Sequence, residues 1–165
     1  MSKAKRFWEK ALVFLVKFFV IYALLQFLIV SLPLGFLENG IALLEANALG
    51  LQAEGNAIFF DSHAFQIVPN CTGLVGISVL ASIIFALRRP ELKKKILLLA
   101  FGTLALFPLN LLRLYLVLLA AISFGPEMAE GLHTASWFAV SAAIILLWYW
   151  LTKRAAKVKE FASLL

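Results

Sequence analysis

The sequence predicts an all-α fold, a polytopic transmembrane helix bundle of about four spans with a small extracytoplasmic cap. Of its 165 residues, 63% are hydrophobic and 15% are charged, and the mean hydropathy is +0.96. A globular core of this size cannot bury so much apolar surface, whereas a lipid bilayer accepts it. The apolar residues also fall into separate stretches of roughly membrane-spanning length. We therefore expect a single membrane domain over residues 1–165.

The predicted spans cover residues 11–32, 71–87, 96–124 with a break at Pro108, and 133–151. The basic start of the first stretch also fits a signal peptide, but the stretch exceeds 20 residues and no clear cleavage site precedes Pro33. We interpret it as a retained helix. In the outer segment, 33–70, helical spacing over 41–51 indicates a helix on the membrane surface. Residues 58–68 are rich in aromatic and β-branched side chains and are expected to be extended.

The cations predict the topology. Fourteen of the 15 Lys and Arg residues lie before or within the first span, between the second and third spans, or after the fourth, where the last are Lys157 and Lys159. By the positive-inside rule both termini are cytoplasmic in a cell membrane. Segments 33–70 and 125–132 contain six acidic residues and no Lys or Arg, and are expected outside. Cations that flank the membrane in clusters do not favour nucleic-acid binding.

Three polar side chains are predicted to lie at one depth. Cys71, Arg113 and His133 are 17, 18 and 20 residues from the nearest cytoplasmic cation cluster. If all these residues are helical, the side chains lie roughly 26, 27 and 30 Å from the cytoplasmic edge, close to the full ~30 Å thickness of the hydrocarbon core. Polar and ionisable groups inside a membrane are costly and therefore indicate function.

The three residue types suit nucleophilic catalysis at the outer face. A thiol attacks as thiolate, which a cation or a helix N-terminus favours, and Cys71 follows Pro69-Asn70 where a helix is expected to begin. His133 can act as general acid and base. Arg113 remains protonated and can hold an oxyanion or the substrate carbonyl. His63, near Asp61, competes for the role of base, although a surface position is the simpler interpretation.

Other interpretations remain open from the residues alone. A lone cysteine in an apolar helix is usually a packing residue, and a histidine at a helix start is often an interfacial anchor. A non-enzymatic helical membrane protein, such as a small transporter subunit or an assembly factor, would use Arg113 to bind an anionic lipid or substrate. No metal or cofactor is expected, since the chain has one cysteine and no HExxH motif.

The motifs Cys71-Thr72-Gly73 and Asn110-Leu-Leu-Arg113, followed by His133, resemble the exosortase/archaeosortase family over roughly residues 65–152. The resemblance implies a membrane cysteine protease or transpeptidase with a Cys-Arg-His triad, supported by Asn110, Thr72 and Gly73. Its substrates would be secreted proteins that end in a short motif, a transmembrane helix and a basic tail. It implies that Cys71 forms a thioester just outside the membrane and passes the new C-terminus to an amine acceptor, such as a membrane lipid, or to water.

Overall fold

The computed structural model describes residues 3–61 and 63–156. Five α-helices account for most of them: α1 (Lys3–Ser31), α2 (Gly35–Leu49), α3 (Leu74–Ala86), α4 (Leu92–Phe124) and α5 (Pro126–Ala156). Three short strands, β1 (Gln52–Glu54), β2 (Ala57–Phe60) and β3 (His63–Gln66), form an antiparallel sheet in that order. The predicted all-α membrane bundle is confirmed. Lys157 and Lys159, part of the predicted cytoplasmic charge, lie outside the described residues.

Three of the described helices, rather than four, are long and apolar enough to cross a membrane: Phe7–Ser31, Leu92–Phe124 and Pro126–Arg154. α3 has only 13 residues and is about 20 Å long, shorter than the ~30 Å hydrocarbon core. It packs between α1, α4 and α5. The neighbouring helices therefore cover most of the surface that a full span would expose to lipid.

The predicted break at Pro108 does not occur, because α4 runs through it as one helix of 33 residues. Membrane helices tolerate an internal proline when the freed backbone groups find other partners. The fourth predicted span also begins earlier than expected. α5 starts at Pro126, directly after Gly125, so residues 126–132 form two helical turns and not an outer loop.

The outer segment folds as predicted, with a helix followed by extended chain. α2 ends at Leu49, and the next residue, Gly50, has a left-handed conformation (φ 68°) that lets its N–H bond to the carbonyl oxygens of Ala46 and Asn47. A two-residue turn with Gly55 at φ 60° joins β1 to β2. We call α2 and the three strands the cap.

The cap packs on the second half of α4. A buried apolar cluster joins cap residues to Cys71 and to α4. Its fully or almost fully buried members are Ile41, Ala42, Ala46, Ile58, Ile67, Cys71, Leu114 and Leu118. Lys10, Lys17 and Arg88 meet around another cavity, where α1 begins and α3 has just ended. The cap and this cation cluster thus lie at opposite ends of the bundle.

Candidate active site

Cys71 lies in a tight 3₁₀ turn, Pro69–Cys71, and not in the first turn of a helix as predicted. Its N–H donates to the Val68 carbonyl oxygen at 2.7 Å, and the Thr72 hydroxyl donates to the Pro69 carbonyl oxygen at 2.7 Å. α3 begins three residues after Cys71, at Leu74. The thiol is therefore placed by a hydrogen-bonded turn in which Thr72 is fully buried and Cys71 is buried as well.

Gly73 allows this turn to meet α4. Its backbone is left-handed (φ 84°), a conformation that disfavours residues with a Cβ. A Cβ at this position would lie 3.1 Å from Cγ of Asn110. The close approach lets the Asn110 side-chain amide donate to the Cys71 carbonyl oxygen at 2.7 Å. The resemblance implied Asn110, Thr72 and Gly73 as supporting residues, and all three hold the turn that carries Cys71.

Arg113 lies one helical turn after Asn110 on α4 and is only 6% exposed. Its Nη2 is 3.4 Å from each ring nitrogen of His133. Its guanidinium also lies over the Trp137 ring, 4.8 Å from the ring centroid, in the geometry of a cation–π contact. The guanidinium therefore contacts both His133 and Trp137.

His133 lies at the beginning of the third turn of α5, seven residues after the helix begins, and not at its start as expected. Trp137, one turn further along, donates its indole N–H to Nε2 of His133 at 3.3 Å. Because the indole nitrogen can only donate, Nε2 is the acceptor in this contact.

Cys71 and His133 both line a cavity of about 370 Å³ between the cap and the start of α5, which we call the outer cavity. His63 lines it as well, from strand β3, with its ring stacked on Phe60 at 5.9 Å. The expectation that His63 is a surface residue is therefore incomplete: the side chain is exposed, but it borders the same space as the thiol.

A second cavity, of about 480 Å³, runs along the helices on the other side of the site. We call it the apolar groove. Arg113 and Asn110 border it, whereas Cys71 and His133 do not. Within the described residues, no group of three or more His, Cys, Asp and Glu side chains could hold a metal ion.

The family model of the transmembrane exosortases matches residues 2–161, nearly the whole chain. The chain belongs to the transmembrane exosortase family. No curated protein and no solved structure matches it. Membership of the exosortase family agrees with the three long apolar helices. The matched range includes α1 and the cap as well as the residues on which the resemblance was based.

Sequence reasoning missed one residue of this exosortase site, Trp137. It contacts both Arg113 and His133. The signal was present in the sequence, because Trp137 follows His133 by four positions and side chains at that spacing share a helix face. An aromatic residue in an apolar helix is common, however, so spacing alone does not single it out.

Proposed function

We propose that this exosortase is a membrane-embedded cysteine protease and transpeptidase that cleaves C-terminal sorting signals of secreted proteins on the outer side of the membrane. The observation that supports the proposal best is the set of contacts at Arg113 and Asn110. Nη2 of Arg113 reaches His133, and one turn earlier Asn110 binds the backbone of Cys71. Nucleophile, base and oxyanion donor are the groups that acyl transfer requires.

The reaction begins with attack of the Cys71 sulfur on the carbonyl carbon of the scissile peptide bond. His133 takes the thiol proton, and Arg113 stabilises the oxyanion of the tetrahedral intermediate. The C–N bond then breaks, and the proton passes from His133 to the leaving amine. The products of this half are a thioester on Cys71 and a released C-terminal segment.

In the second half an amine attacks the thioester carbonyl. The new C–N bond forms, the C–S bond breaks, and the amine proton returns through His133 to the sulfur. We infer that a membrane lipid with a primary amine supplies the acceptor, and water in its place gives hydrolysis. Either outcome regenerates the free thiol.

The substrate enters from the side of the outer cavity. A transmembrane helix held beside the bundle would place the peptide that precedes it at the level of Cys71. Its basic tail would lie with this chain's own cation clusters, Lys10, Lys17 and Arg88 among them, at the cytoplasmic face. The cap and the outer cavity, at the other end of the bundle, would face outward, with both termini of the chain in the cytoplasm.

The experiment is co-expression with a secreted substrate that ends in a motif, an apolar helix and a basic tail. Replacing Cys71 removes the chain's single cysteine, so Cys71→Ala and the isosteric Cys71→Ser should both leave the substrate untrimmed. Wild type should trim it and yield a hydroxylamine-sensitive thioester that carries the substrate. Trimming by Cys71→Ala would refute the proposal. It would leave the alternative in which Arg113 binds an anionic lipid or substrate without catalysis.

A further inference from the structure

The apolar groove has one polar end. Asn70 and Arg113 border that end, whereas the rest of its wall is almost entirely hydrocarbon from four helices. Typical wall residues are Phe18 of α1, Val79 of α3 and Val140 of α5. The polar end coincides with the residues that hold Cys71 and His133 in place. A ligand of this groove would thus be a long apolar molecule with a polar head next to Asn70 and Arg113.

The dimensions of the groove suit an extended hydrocarbon chain. Its wall on α5 extends from Trp137 to Trp148, about 16 Å along the helix axis. The groove has a volume of about 480 Å³. An extended chain can therefore lie along its length.

The groove opens sideways towards the region that lipid occupies. α1 packs on α3, and α5 packs on α4 and α3, whereas α1 and α5 have no extensive contact over the described residues. The helix between them, α3, forms the floor through Val79 and Ile83, which are half-buried. A lipid chain can thus enter from the bilayer between α1 and α5 without crossing the cap.

Arg113 has a hydrogen-bond donor without a partner among the described residues, at the polar end of the groove. Although it is only 6% exposed, its Nε has no hydrogen-bond partner, and within the described residues no carboxylate pairs with the guanidinium. A buried guanidinium in an apolar setting is stabilised by an anion, and its donors match a phosphate well. The charge at this end therefore complements a phospholipid head group.

We propose that the apolar groove binds one acyl chain of the amine-bearing phospholipid that accepts the cleaved chain, with the lipid phosphate at Arg113. The proposal rests on the function proposed above, in which an amine attacks the thioester. It adds the binding site of the acceptor and a reason why the acceptor is a phospholipid. The acyl chain is held in the groove on the membrane side and positions the head-group amine near Cys71. The peptide approaches from the outer cavity.

The test measures binding without turnover, using the full chain with Cys71→Ala in lipid nanodiscs. The probe is phosphatidylethanolamine with a diazirine on one acyl chain, present at a low molar fraction, and the labelled positions are mapped by mass spectrometry. Lipid around the bundle labels exposed faces in any case. Labelling of the α3 floor at Val79 and Ile83 reports the groove, and we expect it to saturate.

Two matched variants of α5 sharpen the result. Val140→Trp fills the groove and should lower labelling of the α3 floor at least fivefold. Leu146→Trp places the same side chain on a face that is 68% exposed and outside the groove, so labelling should stay within twofold of the parent. Arg113→Gln should weaken labelling by the phospholipid probe but not by a diacylglycerol probe, which lacks the phosphate.

Three results would overturn the proposal: no labelling of the α3 floor in the parent chain, equal labelling in the two tryptophan variants, or cross-linking of an apolar substrate helix to Val79 and Ile83. The first and third need no variant, so misfolding of Val140→Trp cannot obscure them. Because Cys71→Ala has no nucleophile, lipid binding and the proposed cleavage fail independently. If the lipid site does not exist, wild type can still cleave its substrate with water as the acceptor. If wild type does not cleave the substrate, the positions labelled by the lipid probe do not change.

Discussion

The side-chain amide of Asn110 donates a 2.7 Å hydrogen bond to the backbone carbonyl oxygen of Cys71, 39 residues away in sequence. This bond links the turn before α3 to the helix that carries Arg113. It also satisfies a buried carbonyl in the 3₁₀ turn, to which no backbone N–H of the described residues donates. The position of the thiol relative to the guanidinium thus depends on one side chain that takes no part in bond making.

Replacing Asn110 should therefore impair catalysis more than stability. Asn110→Leu removes the donor and leaves the buried carbonyl without a partner, a loss of about 1–3 kcal/mol in the free energy of unfolding. We expect turnover to fall at least tenfold, since Cys71, the proposed nucleophile, is no longer fixed. Reaction of a maleimide with the chain's single cysteine should also change in rate, which reports on the turn directly.

Asn56→Leu is the matched control, because Asn56 makes an equivalent bond in the cap. Its side-chain amide donates to the Ile67 carbonyl oxygen at 2.9 Å. This variant should lose a similar amount of stability but retain turnover within about threefold and react normally with maleimide. If both variants lose turnover in proportion to their melting temperatures, Asn110 has only a structural role.

The planar set of N–H donors on the Arg113 guanidinium should contribute to turnover in addition to its positive charge. Arg113→Lys keeps a cation and can keep a contact with Trp137, but it loses the planar set of donors. Removal of one oxyanion donor typically lowers turnover by about 10²–10³-fold, and we expect a loss in that range. Single-turnover trimming of a co-reconstituted substrate measures it.

Arg154→Lys provides a like-for-like comparison at the other end of α5. Arg154 lies over the Trp150 ring at 4.0 Å, so the substitution changes the same kind of contact far from Cys71. Its turnover should match wild type. Wild-type turnover in Arg113→Lys would exclude a role for the forked donors.

Two histidines border the outer cavity, and only one is expected to move protons. His133 contacts Arg113 and accepts a hydrogen bond from Trp137, whereas His63 is exposed on β3 and stacks on Phe60. His133→Gln should reduce turnover by about 10²–10⁴-fold, the usual contribution of a general acid and base. His63→Gln should stay within threefold, and the reverse ranking would assign the base to β3.

The sequence predicted the helical bundle and the cap because both follow from local patterns. Apolar length identified the long helices, and the change from helical spacing to aromatic and β-branched residues separated α2 from the strands. These patterns report on each segment's own surroundings, lipid or cap core. They needed no knowledge of how the chain packs.

Features that depend on tertiary contacts were not predictable in this way. The 3₁₀ turn that contains Cys71 is separated from α3 by the left-handed Gly73 and is bonded to Asn110 of α4. The bond to Asn110 joins segments that are distant in sequence. α4 also continues through Pro108 as one helix. The sequence predicts His133 at a helix start, whereas α5 begins at Pro126, a residue type that favours the first helical position. Despite these local errors, the predicted residues lie close to one another.

Glu45 predicts a pH dependence of stability. The side chain lies on the buried face of α2, is 1% exposed, and has no hydrogen-bond partner for either oxygen within the described residues. Burial raises the pKa of Glu45 from 4.5 to about 7. Between these values the native chain keeps a proton that the unfolded chain has lost. The contribution of Glu45 to the free energy of unfolding is therefore greatest below pH 4.5, and it is lost as the pH rises to about 7.

At about 1.4 kcal/mol per pKa unit, this loss amounts to roughly 3 kcal/mol in the free energy of unfolding. Melting of the detergent-solubilised chain between pH 5 and pH 8 should show it as a falling transition temperature. Glu45→Gln cannot ionise and should flatten the profile, whereas Glu54→Gln, which changes an exposed carboxyl on β1, should leave the fall intact. An unchanged slope in Glu45→Gln would mean that another group on the chain controls the dependence.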